Sequence, residues 1–297
     1  MASYPEGQIW KYKNDKHGIS KVVEKMQGLQ PKLIVMEATG GLEVPLRQAL
    51  EERGLPVAVV NPRRIRDFGR AMGQLAKTDK LDAKVMAYFA AKIEPEARPA
   101  ADKDSQYVRS LLERREQLQE MLTAERNRLG QCLSPTIQHQ IQDHIEWIER
   151  EIADLDNLVK EKIAANPQLQ EKLELLQSMK GVGQILSARL VAQLPELGHL
   201  NQREIASLVG LAPVNRDSGK YRGKRTIWGG RACVRKAFYM PVLAAIRCNG
   251  VIRALYLRLI AQGKLKKVAL VACMHKMLTV LNAMMKHNTR WQESYTS

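Results

Sequence analysis

Two long helical stripes dominate the middle of this chain. Residues 102–179 are charged, rich in Leu and Ile and almost free of glycine, and Pro135 interrupts them. Apolar side chains recur there at helical spacing, first at Val108, Leu111, Leu112, Leu118, Met121 and Leu122, then at Ile137, Ile141, Ile145, Ile148, Ile152, Leu155, Leu158 and Val159. Two such stripes around one break predict an antiparallel helical hairpin with coiled-coil character. The hairpin serves either as a spacer between domains or as an oligomerisation surface, and the pattern favours neither.

The segments on either side of the hairpin differ in class. Before it, short apolar strands such as Val57–Val60 alternate with helical segments, which is typical of a mostly parallel α/β sheet. After it, helical segments predominate, and a GVG turn at residues 181–183 joins two of them like a helix–hairpin–helix element, whose backbone amides suit DNA phosphate. The sequence therefore predicts an α/β domain over residues 1–101, the helical hairpin over 102–167 and an all-α domain over 168–297.

The positive charge of the chain is concentrated at its C-terminal end. The net charge is +16, and residues 201–297 carry eighteen Lys and Arg against three acids, a net charge of +15. Such a bias indicates a surface that binds nucleic-acid phosphate and is sensitive to salt. A membrane surface is a weaker interpretation, because the positive charge is not confined to one amphipathic helix. We also expect the most apolar run near the C-terminus, residues 268–285, to be too short and polar to span a bilayer. Four cysteines without CxxC spacing and an N-terminus without an apolar signal core predict a reduced, cytoplasmic protein.

A basic, glycine-rich stretch over residues 210–236 contains a candidate nucleophile, Ser218, beside one acid, Asp217. We predict that most of its bases, and three lysines before the last helix, bind DNA: Arg216, Lys220, Arg222, Lys224, Arg225, Arg231, Arg235, Lys264, Lys266 and Lys267. Tyr221, Trp228 and Tyr239 lie among these bases, either to stack on nucleobases or as core residues.

Ser218 also has a plain structural interpretation. The Asp-Ser-Gly tripeptide is common in turns, where the serine bonds its own backbone. A serine hydroxyl needs a base or a metal to become a good nucleophile. No histidine lies near Ser218 in sequence and no GxSxG motif is present, which disfavours a Ser-His-Asp hydrolase. If Ser218 is a nucleophile, a metal-bound carboxylate cluster must activate it.

Three carboxylates are candidates for such a cluster. Glu37 directly follows an apolar strand, where a parallel sheet usually presents its site. Asp79 and Asp82 are three residues apart at the start of a helix, so that both project from one face. Carboxylate oxygens suit Mg²⁺, which stabilises the attacking and leaving oxygens of a phosphodiester. Spacing alone favours the ordinary interpretation, in which acids in the first turn complement the helix dipole.

Together these motifs resemble one family. Three segments look like the N-terminal DEDD domain of the insertion-sequence transposases related to the Piv/MooV DNA invertases: residues 35–40 (VMEATG), 59–62 (VVNP) and 77–83 (KTDKLDA). Three more, with the Arg-rich run that follows, resemble the serine domain of the same family: residues 179–183 (MKGVG), 208–213 (LVGLAP) and 217–219 (DSG). The resemblance covers nearly the whole chain, in order.

The resemblance implies a DNA transposase with an RNase H-type, RuvC-like N-terminal domain, a coiled-coil linker and a helical serine domain. It implies that Glu37, Asp79 and Asp82 bind Mg²⁺ and that Ser218 attacks DNA to form a covalent phosphoserine link. It further implies a bridge RNA as guide and a tetramer assembled from dimers.

One acid of the family pattern is missing. The family opens with a Gly-Ile-Asp strand whose aspartate is the first of four ligands, and this chain begins beyond that point. We therefore expect an N-terminally truncated, incomplete RuvC-like domain with impaired catalysis, from a misplaced start codon or gene decay; Thr39 and Lys77 are supporting candidates. Two alternatives stay open: a remnant that binds DNA or RNA without catalysis, and a metal-dependent junction nuclease that does not use Ser218.

Overall fold

The structure, a computed structural model, describes residues 1–74, 76, 78–97, 103–215, 217–219, 221–223 and 225–292. The chain divides into two units, Met1–Ala100 and Ala101–Ser297. The helical hairpin and the helices that follow it fall in the same unit. The division of this C-terminal part into two domains therefore stays a prediction.

The first unit combines short strands with helices. Its described elements are α1 (Lys16–Leu29), β1 (Ile34–Glu37), α2 (Val44–Glu51), β2 (Val57–Val60), α3 (Pro62–Ala71) and α4 (Asp79–Ile93). The two strands pair in parallel, with Glu37 opposite Val60 at their ends, and α2 connects them. Apolar side chains from α1, α2 and both strands share one core. This arrangement is compatible with the α/β class predicted for this part of the chain.

Helix α3 is not predicted by the sequence, where Asn61-Pro62 marks only the end of a strand. The Asn61 side chain accepts a hydrogen bond from the backbone N–H of Arg63 (2.9 Å), and Pro62 takes a position in the first turn. Asparagine at the cap and proline at the first helical position both favour a helix start. The helix then buries Ile65 beside Phe89 of α4.

The second unit begins with a helical hairpin, α5 (Lys103–Gln131) and α6 (Pro135–Ala164). Its helices run antiparallel, because Lys162 near the end of α6 binds Asp104 at the start of α5 (2.8 Å). A second ion pair, Arg115 with Asp156 (2.7 Å), bridges the helices further along. Two helices joined at a short break are thus present where the apolar stripes predict them.

The buried seam of this hairpin is narrower than the predicted stripes. Leu118 and Ile148 are almost fully buried, at 1% and 0% exposure, whereas Met121, Ile137 and Leu158 are 40–45% exposed. Two packed helices cover only a narrow strip of each other, close to two positions in every seven. The three exposed residues lie at the edges of stripes that are wider than that strip.

The remaining described elements of this unit are α7 (Pro167–Gln177), α8 (Gln184–Gln193), α9 (Gln202–Val209), β3 (Pro213–Val214), β4 (Thr226–Ile227), α10 (Ala232–Ala237), α11 (Tyr239–Cys248), α12 (Gly250–Ala261) and α13 (Lys266–His287). Helix α13 runs through their common core, where Cys273, Met277 and Leu281 are fully buried. Arg189 of α8 joins this helical core to the hairpin, because its Nη1 donates to the carboxylate of Glu116 on α5 (2.6 Å).

Helix α13 is also long and apolar enough to cross a membrane. It has 22 residues, and its most apolar window has a mean hydropathy of 1.6, so the expectation that this run is too short is wrong. However, 56% of that window is buried inside the protein, as in a core helix. Among the described residues, the same test is otherwise passed only by Ala232–Cys248 together with Gly250–Ala261, a pair bent by 97°.

The predicted GVG turn joins α7 and α8. Gly181 has a φ of +96°, and a Cβ at this position would meet the Cβ of Ala245 on α11 at 2.6 Å. Glycine therefore permits both the backbone conformation and the close approach of α11. Binding of DNA phosphate by the amides of this turn stays a prediction.

Candidate nucleic-acid interface and catalytic residues

Ser218 lies at the tip of the hairpin formed by β3 and β4. Its backbone N–H donates to the carbonyl of Tyr221 (3.1 Å), and the Tyr221 N–H donates to the carbonyl of Ser218 (2.9 Å). These reciprocal bonds close a two-residue turn in which Gly219 has a φ of +55°, the left-handed region that favours glycine. Ser218 is exposed, and its hydroxyl makes no hydrogen bond to any described residue. The backbone of Ser218 thus builds the turn while its hydroxyl stays accessible.

The residues that flank this turn occupy its opposite face. The Oδ1 atom of Asp217 accepts a hydrogen bond from the N–H of Gly223 (3.2 Å), and its Oδ2 lies 3.6 Å from Nη1 of Arg222. Successive side chains of a strand alternate between faces, so Asp217 and Arg222 lie on the face opposite Ser218 and Tyr221. Asp217 therefore stabilises the tip through these two contacts.

Two arginines that were predicted to bind DNA fasten the base of this hairpin. Arg231 makes a bidentate ion pair with Glu196, with both N–O distances at 2.7 Å. Arg235 donates through Nη1 to the backbone carbonyls of Gly229 (2.6 Å) and Val209 (3.1 Å). A phosphate that approached the same N–H groups would compete with these internal contacts. The structure thus gives Arg231 and Arg235 a structural role that the sequence analysis missed.

The other predicted DNA-binding residues fall into two groups. Arg216, Lys220 and Lys224 lie outside the described residues. The supporting candidate Lys77 also lies outside them. Exposed to solvent are Arg222, Arg225, Lys264, Lys266 and Lys267. The exposed group can approach a phosphate without first leaving a buried environment, and it supplies the described part of the candidate DNA surface.

The aromatic residues among these bases are also exposed. Tyr221 is 67%, Trp228 is 56% and Tyr239 is 45% exposed. The sequence left open whether these rings stack on nucleobases or belong to the core. Their exposure excludes the core interpretation for all three.

The three candidate metal ligands lie in the first unit. Glu37 is the half-buried last residue of β1. Asp79 and Asp82 lie in the first turn of α4, which packs against β1. The Thr78 hydroxyl oxygen accepts a hydrogen bond from the N–H of Leu81 (3.3 Å), so the helix begins at the residue that the sequence predicts.

These carboxylates do not form a closed metal cage. Within the described parts of the chain, no three His, Cys, Asp or Glu side chains lie close enough together to hold a metal ion. Mg²⁺ commonly takes one or two protein carboxylates and completes its shell with water and substrate phosphate. Glu37, Asp79 and Asp82 fit Mg²⁺ by their donor chemistry only in an open form of the site, in which water and substrate phosphate complete the coordination shell.

The loop after Glu37 is held by a residue that sequence reasoning missed. The Oε2 atom of Glu43 accepts hydrogen bonds from the N–H of Thr39 (3.0 Å), the hydroxyl of Thr39 (3.1 Å) and the N–H of Gly41 (2.9 Å). Partial burial acts to raise the pKa of Glu43, but hydrogen bonds from its own N–H, Thr39 and Gly41 outweigh this effect and hold the pKa below its usual range. The sequence signal from which this contact could have been predicted is a glutamate four residues after a threonine in a glycine-rich loop.

Comparisons with known proteins cover both units. Residues 7–137 match the DEDD transposase family of the IS110 type, and residues 173–257 match the transposase IS116/IS110/IS902 family. The chain is 30% identical over 260 residues to the pilin gene-inverting protein of Moraxella bovis, which covers 86% of this chain and 80% of that protein. The pilin gene-inverting protein of Moraxella lacunata is 28% identical over 260 residues, which again cover 86% of this chain and 80% of that protein. An uncharacterized 42 kDa protein of insertion element IS900 from Mycobacterium paratuberculosis is 30% identical over 57% of this chain and 42% of that protein.

Proposed function

Because the chain belongs to the IS116/IS110/IS902 family of transposases, we propose that it breaks and rejoins DNA strands through Ser218. The Ser218 Oγ attacks a phosphodiester, a P–O bond to one strand breaks, and the phosphate stays on the serine as an ester. The serine proton passes to solvent, and the departing strand oxygen takes up a proton. The ester keeps the phosphate ready for transfer to another strand, as recombination requires.

The observation that supports this assignment most directly is the position of Ser218. A residue that attacks a DNA backbone must reach it, and Ser218 is exposed at the tip of a two-stranded hairpin whose base is fastened. The exposed bases Arg222 and Arg225 lie in the same hairpin and bind phosphate by charge. Relatives named as pilin gene-inverting proteins support a recombinase that acts on DNA.

The proposal includes a divalent ion. Glu37, Asp79 and Asp82 would hold Mg²⁺ in the open form described above. A bound Mg²⁺ neutralises phosphate charge and stabilises oxygens that become charged during the reaction. The part played by the protein itself is to present Ser218 and to hold the strand with its bases.

The finer architecture belongs to the same proposal. The first unit is proposed as an RNase H-type, RuvC-like domain, α5 and α6 as a coiled coil that serves assembly into dimers and tetramers, and the later helices as a separate serine domain. A bridge RNA is proposed as guide and the bacterial cytoplasm as the place of action. The basic C-terminal part supports binding of nucleic acid but does not distinguish DNA from RNA.

A covalent trap tests the proposed nucleophile. The full chain is incubated with DNA of its element ends, its guide RNA and Mg²⁺, then denatured and separated by electrophoresis. We expect a protein–DNA adduct from the unaltered chain, none from Ser218→Ala, and an undiminished adduct from Ser207→Ala, an exposed serine of α9 in the same unit. An adduct that persists in Ser218→Ala would overturn the assignment.

The same experiment separates the second candidate function, DNA or RNA binding without catalysis. The observation that favours this candidate is that the described residues gather no three metal-binding side chains. It predicts binding by gel shift with no adduct and no cleavage in any variant. Cleavage that survives Ser218→Ala without an adduct would instead indicate a nuclease that depends on the carboxylates alone.

A further inference from the structure

Tyr221 shares one face of the hairpin tip with Ser218. The two residues exchange both of their backbone hydrogen bonds (3.1 and 2.9 Å), so they form a directly opposed antiparallel pair. Such a pair projects its side chains on the same side, with the Cα atoms about 5.5 Å apart. The side chains of Tyr221 and Ser218 therefore project from the same face of the tip.

The ring of Tyr221 is poorly covered by the protein. It is 67% exposed, and the ion pair of Asp217 with Arg222 lies on the other face of the tip. A tyrosine at a turn contributes little to the core when two thirds of it faces solvent. Its position is explained by a ligand with a flat face more readily than by packing.

We propose that Tyr221 forms a base-stacking site beside Ser218, which takes one unpaired nucleobase of the DNA strand under attack. This inference rests on the proposed function, since it assumes that Ser218 meets a phosphodiester. Successive phosphates of one strand are about 3.4 Å apart along the helix axis. Directly opposed residues have Cβ atoms about 5 Å apart, so a base stacked on the Tyr221 ring would belong to a nucleotide close to the reacting phosphate.

Stacking at this place has two consequences for the reaction. It fixes the rotation of the nucleotide about its backbone and so aligns the phosphodiester with the serine oxygen. It also favours a locally unpaired strand, because a base inside a duplex has both faces covered by its neighbours. Tyr221 is thus a positioning residue that acts through the substrate, and its hydroxyl is not required.

A binding experiment tests the site without catalysis. Ser218→Ala protein is titrated with a short DNA single strand that carries 2-aminopurine, whose fluorescence falls when it stacks. We expect quenching on binding, retained in Tyr221→Phe and lost in Tyr221→Leu, with affinity about fivefold weaker or more after loss of the ring. A strand of the same length with abasic positions should bind equally to the Phe and Leu variants, because it offers no base to stack.

The matched control is Tyr107→Leu, which removes an exposed aromatic ring of α5, in the same unit but outside the basic stretch. This change should leave the quenching intact. Thermal unfolding of each variant checks the fold, and only small shifts are expected because both rings are exposed. Equal quenching and affinity in the Tyr221→Phe and Tyr221→Leu proteins would overturn the proposed site, as would the same loss in Tyr107→Leu.

A kinetic measurement keeps this inference separate from the proposed function. With the serine present, Tyr221→Leu should slow adduct formation at saturating duplex DNA and be partly rescued by DNA with a mismatch at the cleaved position. If the transposase proposal is wrong, no variant should form an adduct, but the 2-aminopurine quenching should still be observed. Normal adduct formation by Tyr221→Leu on both substrates would remove the role of Tyr221 and leave that of Ser218 untouched.

Discussion

At the residue scale, one carboxylate organises the loop beside the candidate metal ligand Glu37. Glu43 accepts three hydrogen bonds through a single oxygen atom, two of them from backbone N–H groups that would otherwise have no partner in the loop. A charged acceptor in this position stabilises the turn that follows β1. The loop conformation therefore depends on the charge of Glu43.

We expect Glu43→Gln to loosen this loop at neutral pH. Loss of the charge should reduce local stability by about 1 kcal/mol, after allowance for the exposure of the group. The folded-state pKa is lowered, so the stabilising effect is present above the ordinary glutamate pKa and is lost as the pH falls through the lowered one. Hydrogen exchange at the amides of Thr39 and Gly41 measures it: exchange should be faster in the variant at neutral pH and converge with the unaltered chain in acid. Glu24→Gln, at an exposed site on α1, should change neither amide.

At the element scale, the hairpin of β3 and β4 that carries Ser218, here called the serine hairpin, is anchored at its base by contacts among the described residues. Its base is held by Arg231 through Glu196 and by Arg235 through backbone carbonyls, whereas its tip carries the exposed turn. A Cβ at Gly210 would collide with the carbonyl of Gly229, so close backbone packing supports the same end. Substitutions at base and tip should therefore have different effects.

Arg231→Met should lower the free energy of unfolding of the second unit by about 2 kcal/mol, because it removes the bidentate ion pair made by a mostly buried Glu196 carboxylate. Arg222→Met at the tip should change it by less than about 0.5 kcal/mol and weaken DNA binding. Urea unfolding followed by fluorescence, together with DNA affinity, separates the two effects. A destabilised Arg222→Met protein, or an Arg231→Met protein of normal stability, would contradict the division of roles.

Sequence reasoning located elements well where local signals decide them. Thr78 at the start of α4, the apolar run of β2 and the break at Pro135 each follow from capping, β-branched side chains or proline geometry. It missed features that depend on residues far apart in the chain. Arg231 pairs with a glutamate 35 positions away, a contact that no local pattern indicates, whereas its binding of phosphate stays a prediction.

The candidate site was predictable in its residues and not in its geometry. The Ser218 turn and the exposed bases were found from composition, but the pairing of Ser218 with Tyr221 depends on a hairpin whose strands are only two residues long. Strands so short have no periodic pattern to recognise. Likewise, the spacing of Asp79 and Asp82 places both on one helix face, but it cannot say how near they come to Glu37.

At the scale of the whole molecule, charge is divided unevenly along the sequence. Residues 201–297 carry a net charge of +15 of the total of +16. An ordinary folded surface mixes both signs, so this bias indicates an anionic polymer as partner. Binding should then be governed by release of counterions.

We expect the affinity for DNA to fall steeply with salt, with a slope of about −5 or steeper in a plot of log K against log salt, as for six or more neutralised phosphates. Arg225→Gln should reduce the slope by about 1, because it removes one exposed base of the hairpin. Lys160→Gln, an exposed base on α6, is the matched control and should leave it unchanged. Fluorescence anisotropy over a series of salt concentrations gives the slopes, and a flat dependence would count against the C-terminal basic surface as the DNA-binding face.

The anchoring of the serine hairpin at its base has a consequence for how such proteins diversify. The contacts of Arg231 and Arg235 lie at the base of this element, so exposed side chains at the tip such as Tyr221 and Arg222 can change at little cost in folding stability. We therefore expect substitutions to be tolerated more readily at these exposed tip positions than at Arg231, at Arg235 or at the closely packed Gly210.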